Sequence, residues 1–379
     1  MKRLLALTLS LCLLLSLAAC NDTGSSSAES GNAAQSAEAS VDLPDQSAAD
    51  RSAEPVQPQV ATGAPNVALE QVQDNVLAQD GTVLVNYEYQ KPTITLPDAE
   101  AMVKVQEDLD RELQIFLDFV HSELADYARD AVSYSQEMGD EGSDSMVFTF
   151  QPYYAQYVVQ VSRVDETVVS LVIDSVSYSG GAHGSDNRYC LNYDARTGER
   201  LTFDMLGKNF RKKAEELVLA KLEEHKAELD EGYEKQLPLV VCDGTESADA
   251  VNRQIYPDLY EDTSMEAEEG NLSAQYYFND KGILFISGEY VMKSYAVGIQ
   301  EYGASYQSFG DALKEEYIPA DVLEAIRAKE EAKKKAEAEK AKKEAEKKAK
   351  KEAEKAKKEA EKAGKKAAEK AGDEAEKAE

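Results

Sequence analysis

Cys20 carries the side chain whose chemistry the sequence specifies most closely. A positive start (Lys2, Arg3), a leucine-rich apolar stretch over 4–17 and two alanines precede it, which are the parts of a secretory signal. The stretch is too short to span a bilayer comfortably. A cysteine directly after the alanines looks like a lipobox, in which the thiol receives a diacylglycerol and becomes the new N-terminus. We expect cleavage after residue 19 and a lipid-anchored protein on the extracytoplasmic face of the cell membrane; an ordinary signal with a chance cysteine is the alternative.

The segment 178–184 reads YSGGAHG and places one histidine among three glycines. An imidazole can act as a general base, and glycines allow backbone torsions that other residues avoid. No Ser, Cys or acidic partner stands at a recognised spacing, and no Lys-bearing helix follows that would complete a phosphate-binding loop. We therefore favour a structural or partner-binding loop over a catalytic one, with these candidate ligand contacts: Tyr178, Gly180, Gly181 and His183.

A second candidate contact loop follows a predicted hairpin and contains Tyr290, Tyr295 and Gly298. Tyrosines on a loop offer a large contact area at little entropic cost, which suits a binding surface. They are equally typical of the rim of a hydrophobic core. Both interpretations stay open for this loop.

Cys190 and Cys242 remain in the chain after signal cleavage and can pair outside the cytoplasm. A bridge closing about 50 residues would add roughly 3–4 kcal/mol in the chain-entropy model. Two buried free thiols are the alternative. The three histidines are scattered and neither a CxxC nor an HExxH motif occurs, so we predict no metal site and no cofactor.

The charge of the chain is concentrated in residues 67–318, which contain 19 basic and 48 acidic residues and carry −29 of the total of −30. Such a segment repels nucleic-acid phosphates, which argues against nucleic-acid binding. It favours a cationic partner and steers one at low salt. A generic acidic surface that keeps the protein soluble explains the charge equally well.

The periodicity of residues 67–318 predicts an α+β domain with an antiparallel or mixed sheet and two long helices packed on it. Pro97 and Asp98 open the first helix, and the second runs over about 205–229. The apolar stripe of the first helix is predicted to contain Met102, Val105, Leu109, Leu113, Phe116, Val120, Leu124, Tyr127 and Ala131. The predicted strands cover 82–89, 92–96, 146–150, 153–164, 167–178, 189–193, 274–278 and 283–286, with a turn at 194–198.

Low-complexity segments flank this domain. Residues 21–65 contain almost no large apolar side chains, so we predict a disordered tether with a typical reach of about 40 Å. The tail from about 328 contains almost only Lys, Glu and Ala, and Glu344–Lys348 and Glu346–Lys350 are expected i,i+4 pairs. No leucine or valine forms a seam, so a solvated single helix of roughly 75 Å is favoured over a coiled coil.

At its glycine-rich loop the chain resembles a known family. The run 178–184, followed by Asn192-Tyr193-Asp194, Thr197-Gly198 and Leu201-Thr202-Phe203, resembles the RsiV-like domain, and the stretches 276–278 and 290–298 are similar to its C-terminal end. Residues 67–160 look like the companion half, also found ahead of some peptidoglycan deacetylases. The resemblance implies two halves, 67–165 and 166–318. Composition and the lipobox add the signal 1–19, the lipidated Cys20 with the linker 20–66, and a charged helix 319–379.

The resemblance implies a binding function, because the best-understood member is an anti-sigma factor whose outer domain binds lysozyme. This sequence shows neither that member's sigma-binding segment nor the metal-binding residues of the deacetylase module. Three hypotheses follow. We favour a non-enzymatic surface lipoprotein that binds a lysozyme-like basic protein. A module that binds peptidoglycan or another glycan is the second, and a hydrolase using His183 is the third.

Overall fold

The computed structural model describes residues 64–140, 149–181, 183–224, 226, 229, 232–257, 270–288, 291–292 and 298–376. The signal, Cys20 and the tether therefore lie outside the described residues. The chain divides into two compact units between Tyr317 and Ile318. The first is an α+β domain with a mixed sheet and the second contains a long charged helix, so the predicted fold class is confirmed.

Five strands form the main sheet in the order β1-β2-β3-β4-β5, in which β2 and β3 are parallel and all other neighbours are antiparallel. Residues 168–173 of β4 are all buried, as in a strand covered on both faces, whereas β1 at the edge of the sheet is mostly exposed. The bounds are β1 Asn66–Leu77, β2 Val83–Thr95, β3 Tyr153–Val164, β4 Val168–Tyr178 and β5 Ser185–Asp194.

A long helical segment covers one face of this sheet. It consists of α1 (Ala99–Phe119), a π-helical turn (Val120–Leu124) and α2 (Ala125–Asp140). As predicted, Asp98 begins the segment, since its carboxylate accepts a hydrogen bond from the Ala101 backbone at 2.8 Å. The buried stripe of α1 contacts the sheet and forms one core with residues of β2 to β5, including Val105, Leu109, Leu113, Phe116, Tyr157, Leu171 and Leu191.

The π-turn changes which residues of α2 face the core. The predicted stripe holds as far as Val120 and Leu124, and an uninterrupted helix would continue it at Tyr127. A π-turn contains about one extra residue, so every later position is rotated by nearly a third of a turn. Ala125 and Ala128 are buried in its place, while Tyr127 is 58% exposed. The prediction that Tyr127 belongs to the core is therefore wrong.

The opposite face of the main sheet is covered by a three-stranded antiparallel sheet, β6 (Tyr276–Phe278), β7 (Gly282–Ser287) and β8 (Gln300–Ser305). Two polar side chains on adjacent strands hold β6 there. Asn192 Nδ2 donates to the Tyr276 carbonyl at 2.6 Å, and Ser170 Oγ accepts from the Phe278 amide at 2.9 Å. Ser170 and Asn192 also bond each other at 2.7 Å, so these buried polar groups are satisfied.

Short helices complete the first unit. They are α3 (Phe203–Leu206), α4 (Phe210–Glu224), α5 (Ala248–Ile255) and α6 (Tyr306–Phe309), with 3₁₀ turns at Tyr233–Leu239, Gly310–Ala312 and Glu315–Tyr317. The single helix predicted over 205–229 is interrupted at Gly207. A Cβ atom there would lie 2.0 Å from the Ala312 carbonyl oxygen, so the close backbone approach requires glycine.

Several strand predictions need correction. The two strands at 82–89 and 92–96 are one, because Pro92 lies beyond the ladder that joins Val85–Tyr89 to β3. Residues 149–150 are not in a strand, and the rest of the predicted strand 146–150 lies outside the described residues. The polar strand β1 and the short β8 were not predicted, since neither carries a continuous apolar pattern.

The second unit contains α7 (Ala320–Glu376), a helix of 57 residues or roughly 85 Å. Its side chains from 327 to 366 are exposed. Four i,i+4 ion pairs have glutamate first: Glu331–Lys335, Glu339–Lys343, Glu354–Lys358 and Glu361–Lys365. The expected pairs Glu344–Lys348 and Glu346–Lys350 are not formed in this structure.

Candidate functional site

The glycine-rich segment 178–184 forms the tip of the hairpin that joins β4 to β5. The hydroxyl of Tyr178 donates to the Gly181 carbonyl at 3.1 Å, and Gly180 and Gly181 have φ of 89° and 93°. Gly180 packs over the ring of Tyr153, since a Cβ atom there would lie 3.6 Å from its hydroxyl. The positive torsions explain why the tip needs two glycines.

His183 is an exposed side chain at this tip. Its Nδ1 lies 2.8 Å from the carbonyl oxygen of Gly184, so a protonated Nδ1 can donate to the backbone. Gly184 itself faces the Ser177 carbonyl, where a Cβ atom would come within 2.7 Å. This ring contact with the main chain helps to hold the tip.

The second predicted loop ends at Gly298, which leads into β8. Tyr290 and Tyr295 are outside the described residues, while Gly298 has φ of 69° and accepts from Gln300 Nε2 at 3.4 Å. Arg188, four residues after Gly184, forms an ion pair of 3.4 Å with Glu301, three residues after Gly298. This ion pair joins β5, which follows the hairpin tip, to β8, which follows Gly298.

The two predicted disulfide partners pack against one short segment, 273–275. The Cys190 amide donates to the Ala274 carbonyl at 2.9 Å, and Cys242 contacts both the Ser273 carbonyl and the Gln275 amide. Both thiols are free and buried in the structure. Burial and the nearby Cys242 thiol raise the pKa of Cys190, and burial raises the pKa of Cys242. Pairing of the two stays a prediction.

A cleft of about 330 Å³ runs along the outer edge of β5, between α1 and the segment 271–274. Its walls combine hydrogen-bonding groups with apolar side chains of α1. The polar lining includes Glu112, Ser175, Asn187, Tyr189, Arg200, Asn271 and Ser273, and the apolar lining includes Ile115, Phe116 and Phe119.

The charges in this cleft neutralise each other. Arg200 forms ion pairs with both Glu112 and Asp108, the latter at 2.5 Å. The Tyr193 hydroxyl donates to Asp108 at 2.9 Å, and burial raises the pKa of Tyr193. The cleft thus offers a locally neutral set of donors and acceptors, which suits a small uncharged polar ligand.

The helical layer facing solvent has the opposite character. Residues 99–140 contain eleven acidic and three basic side chains. Each base already has an acidic partner on its own helix: Lys104 pairs with Glu100, Arg111 with Asp108 and Arg129 with Asp126. The segment therefore carries a net charge of −8, and most of its carboxylates face solvent.

The cleft and the acidic layer were not predicted as sites. The cleft combines residues from four separated parts of the chain, so no local motif indicates it. The charge count did indicate an acidic domain, but it did not indicate which face carries the excess. Among the described residues, no group of three or more His, Cys, Asp or Glu side chains is placed to hold a metal ion. None of the described helices is long and apolar enough to cross a membrane.

Residues 79–186 match the family model described as Deacetylase PdaC. The match covers β2, the helical layer, β3, β4 and the hairpin tip. It confirms the expected relation to deacetylase-associated sequences in its coarse form, and the narrower RsiV-like relation stays a prediction. No curated protein matches the chain.

Two crystal structures of DUF3298 family proteins are similar to this chain. The one from Bacteroides fragilis NCTC 9343 is 15% identical with a TM-score of 0.46, and covers 70% of this chain and 99% of its own. The one from Pseudomonas aeruginosa PAO1 is 13% identical with a TM-score of 0.36, and covers 68% of this chain and 96% of its own. The chain is thus similar to a deacetylase family over 79–186 and to DUF3298 structures over a wider range.

Proposed function

We propose that this protein is a lipid-anchored, extracytoplasmic binding module that captures or senses a basic wall-active protein such as lysozyme. The observation that carries the proposal is the charge of the helical layer. Eleven acidic side chains stand against three basic ones over 99–140, and those three bases are already paired within the layer. The excess negative charge remains available to an incoming cation.

Such a layer attracts a cationic protein over a longer range than direct contacts do. Clustered like charges raise the association rate by steering the encounter, and the effect falls as salt screens it. The whole segment 67–318 adds to this field with its charge of −29. Binding to a basic partner should therefore be strong at low salt and weaken as salt is added.

The strands that continue from the two candidate loops contact each other, which supports a protein ligand. The hairpin tip with Tyr178, Gly180, Gly181 and His183 leads into β5, the second loop leads into β8 after Gly298, and the Arg188–Glu301 ion pair joins these strands. In this proposal the tip and the loop residues Tyr290 and Tyr295 make the specific contacts. The long acidic surface provides attraction, and the loops provide recognition.

We propose that the module has no enzymatic activity of its own. The His183 ring places Nδ1 2.8 Å from the backbone carbonyl oxygen of Gly184, and this contact suits a structural role for the side chain. The hydrolase hypothesis predicts that His183→Ala abolishes a hydrolytic activity of the purified chain. The binding hypothesis predicts that the same variant changes only local stability and contacts.

The neutral polar cleft beside β5 favours peptidoglycan or another glycan as a second candidate ligand. Its volume of about 330 Å³ lies at the small end for ligand sites and would hold about one sugar unit. Amides, hydroxyls and the Arg200–Glu112 pair would bond sugar hydroxyls, while Ile115 and Phe119 would contact the apolar face of the ring. The match to a deacetylase family also supports a ligand of the cell wall.

Calorimetry of the purified full chain with a c-type lysozyme at 50 mM and 300 mM salt tests the proposal. We expect binding that weakens at least tenfold at the higher salt, and a parallel lytic assay measures whether the enzyme is inhibited. A neutral N-acetylglucosamine oligomer serves as the second ligand. Binding of the oligomer alone would support the glycan candidate, and no lysozyme binding at tens of micromolar would overturn the proposed function.

A further inference from the structure

The exposed face of α2 carries a stripe in which acidic side chains and tyrosines alternate. Glu123, Tyr127, Asp130, Tyr134 and Glu137 follow one another at spacings of four, three, four and three. These spacings place all five on one face of the helix. The stripe begins in the π-turn and extends about 21 Å along the helix axis.

Both tyrosines of the stripe expose more than half of their surface to solvent. Tyr127 is 58% exposed and Tyr134 is 54% exposed, and they are among the most exposed large hydrophobic side chains of the described residues. They stand two turns apart, so one partner surface can contact both. Tyrosine is favoured at protein interfaces because it combines a large apolar ring with a polar hydroxyl.

The π-turn is the cause of this exposure. Without the extra residue, Tyr127 would continue the buried stripe formed by Val120 and Leu124. With it, the small residues Ala125 and Ala128 take the core positions. The fold thus buries alanine and presents tyrosine at this point of the helix.

The alternation selects a cationic partner. An arginine or lysine above a tyrosine ring gains a cation–π contact, and neighbouring carboxylates along the stripe add ion pairs. Acidic side chains also flank the stripe, since Asp126 and Asp118 lie on adjoining faces. A neutral glycan would use the rings and leave the carboxylates without a role.

We infer that the stripe Glu123–Glu137 is a docking surface for a basic face of a partner protein, rich in arginine and lysine. The inference rests on the proposed function and identifies where the cationic protein binds. It assigns the main contact area to α2, in addition to the two candidate loops.

Two pairs of variants of the full chain test the stripe against a c-type lysozyme by calorimetry. In the first pair, the double variant Tyr127→Ala/Tyr134→Ala is compared with the control double variant Leu69→Ala/Val161→Ala. The two control residues are exposed outside α2. In the second pair, the double variant Asp130→Asn/Glu137→Gln is compared with the double variant Glu107→Gln/Asp110→Asn. The latter removes the same amount of charge from α1. Circular dichroism and the unfolding midpoint check that all four variants fold.

We expect the tyrosine variant to lose at least tenfold in affinity, and its control to change less than threefold. The Asp130–Glu137 variant should lose affinity and salt dependence more than the charge-matched variant of α1. If the stripe variants bind as tightly as their controls while the unaltered chain binds, the docking surface is overturned and the proposed function stands. If the unaltered chain does not bind lysozyme, both are overturned.

Discussion

The helical layer of the domain and the helix of the tail are both long and rich in charge, yet different forces hold them. The layer over 99–140 buries an apolar stripe against a sheet, and a π-turn at Val120–Leu124 interrupts it. The tail helix α7 has exposed side chains from 327 to 366, with four i,i+4 ion pairs along its length. Tertiary packing therefore stabilises the helices of the layer, whereas intrinsic helix propensity stabilises the tail helix.

The sharpest way to break this contrast is to remove a core side chain of α1. Leu109 is fully buried, so Leu109→Ala should lower the free energy of unfolding of the domain by about 2–5 kcal/mol. Val103→Ala on the same helix is the control, because Val103 is 50% exposed and should change stability by less than about 0.5 kcal/mol. Urea unfolding followed by tyrosine fluorescence measures both. Equal effects of the two changes would contradict the packing account.

A disulfide between the two cysteines would also stabilise the domain without affecting the tail helix. If Cys190 and Cys242 pair in the oxidised protein, reduction should lower the free energy of unfolding by roughly 3–4 kcal/mol. The helicity of α7 should not change, because no cysteine lies in the tail. Thermal unfolding with and without dithiothreitol gives the first quantity, and the circular dichroism of a peptide covering 328–376 gives the second.

The double variant Cys190→Ala with Cys242→Ala is the control for that experiment. Its stability should not respond to dithiothreitol. Thiol titration of the oxidised, denatured chain with Cys20 blocked identifies the bridge directly. Two reactive thiols would contradict pairing and favour two buried free cysteines.

The cap at the start of α1 should have a smaller effect than its core. Asp98→Ala removes the acceptor of the Ala101 amide and should cost about 1 kcal/mol of domain stability. Asp98→Asn keeps an acceptor and should recover most of that loss. Chemical unfolding of the three proteins checks this, and a loss as large as that of Leu109→Ala would mean that Asp98 does more than cap the helix.

The smallest expected effect concerns the ion pairs of the tail. Each pair contributes about 0.2–0.5 kcal/mol and is screened by salt, so 1 M NaCl should reduce the helicity of a peptide covering 328–376. Glu339→Gln with Glu354→Gln should make that helicity lower and less dependent on salt. The unfolding midpoint of the domain in the full chain should not follow these two substitutions. A salt-independent helicity of the unaltered peptide would show that propensity alone holds the tail.

The same contrast decides how much of each region could be predicted. The prediction that the tail is a helix was correct from composition alone, since Ala, Lys and Glu favour a helix without tertiary contacts. In the domain, Asp98 as the first cap and the strands β3 and β4 were also correct. Strand β1 and the interruption at Gly207 were missed, because the first depends on pairing with β2 and the second on a backbone contact with Ala312.

The amino-acid sequence by itself determined the α+β class, the phase of α1 as far as Val120, the charged tail helix and the concentration of negative charge in 67–318. These properties follow from residue type and local spacing, which act within a few turns of the chain. Tertiary structure alone decided that Tyr127 faces solvent, that Cys190 and Cys242 share a neighbour, and that a cleft lies beside β5. The cysteine neighbourhood and the cleft depend on the packing of segments distant in sequence, which local spacing does not encode. The exposure of Tyr127 depends on a π-turn, which the spacing of apolar residues does not indicate.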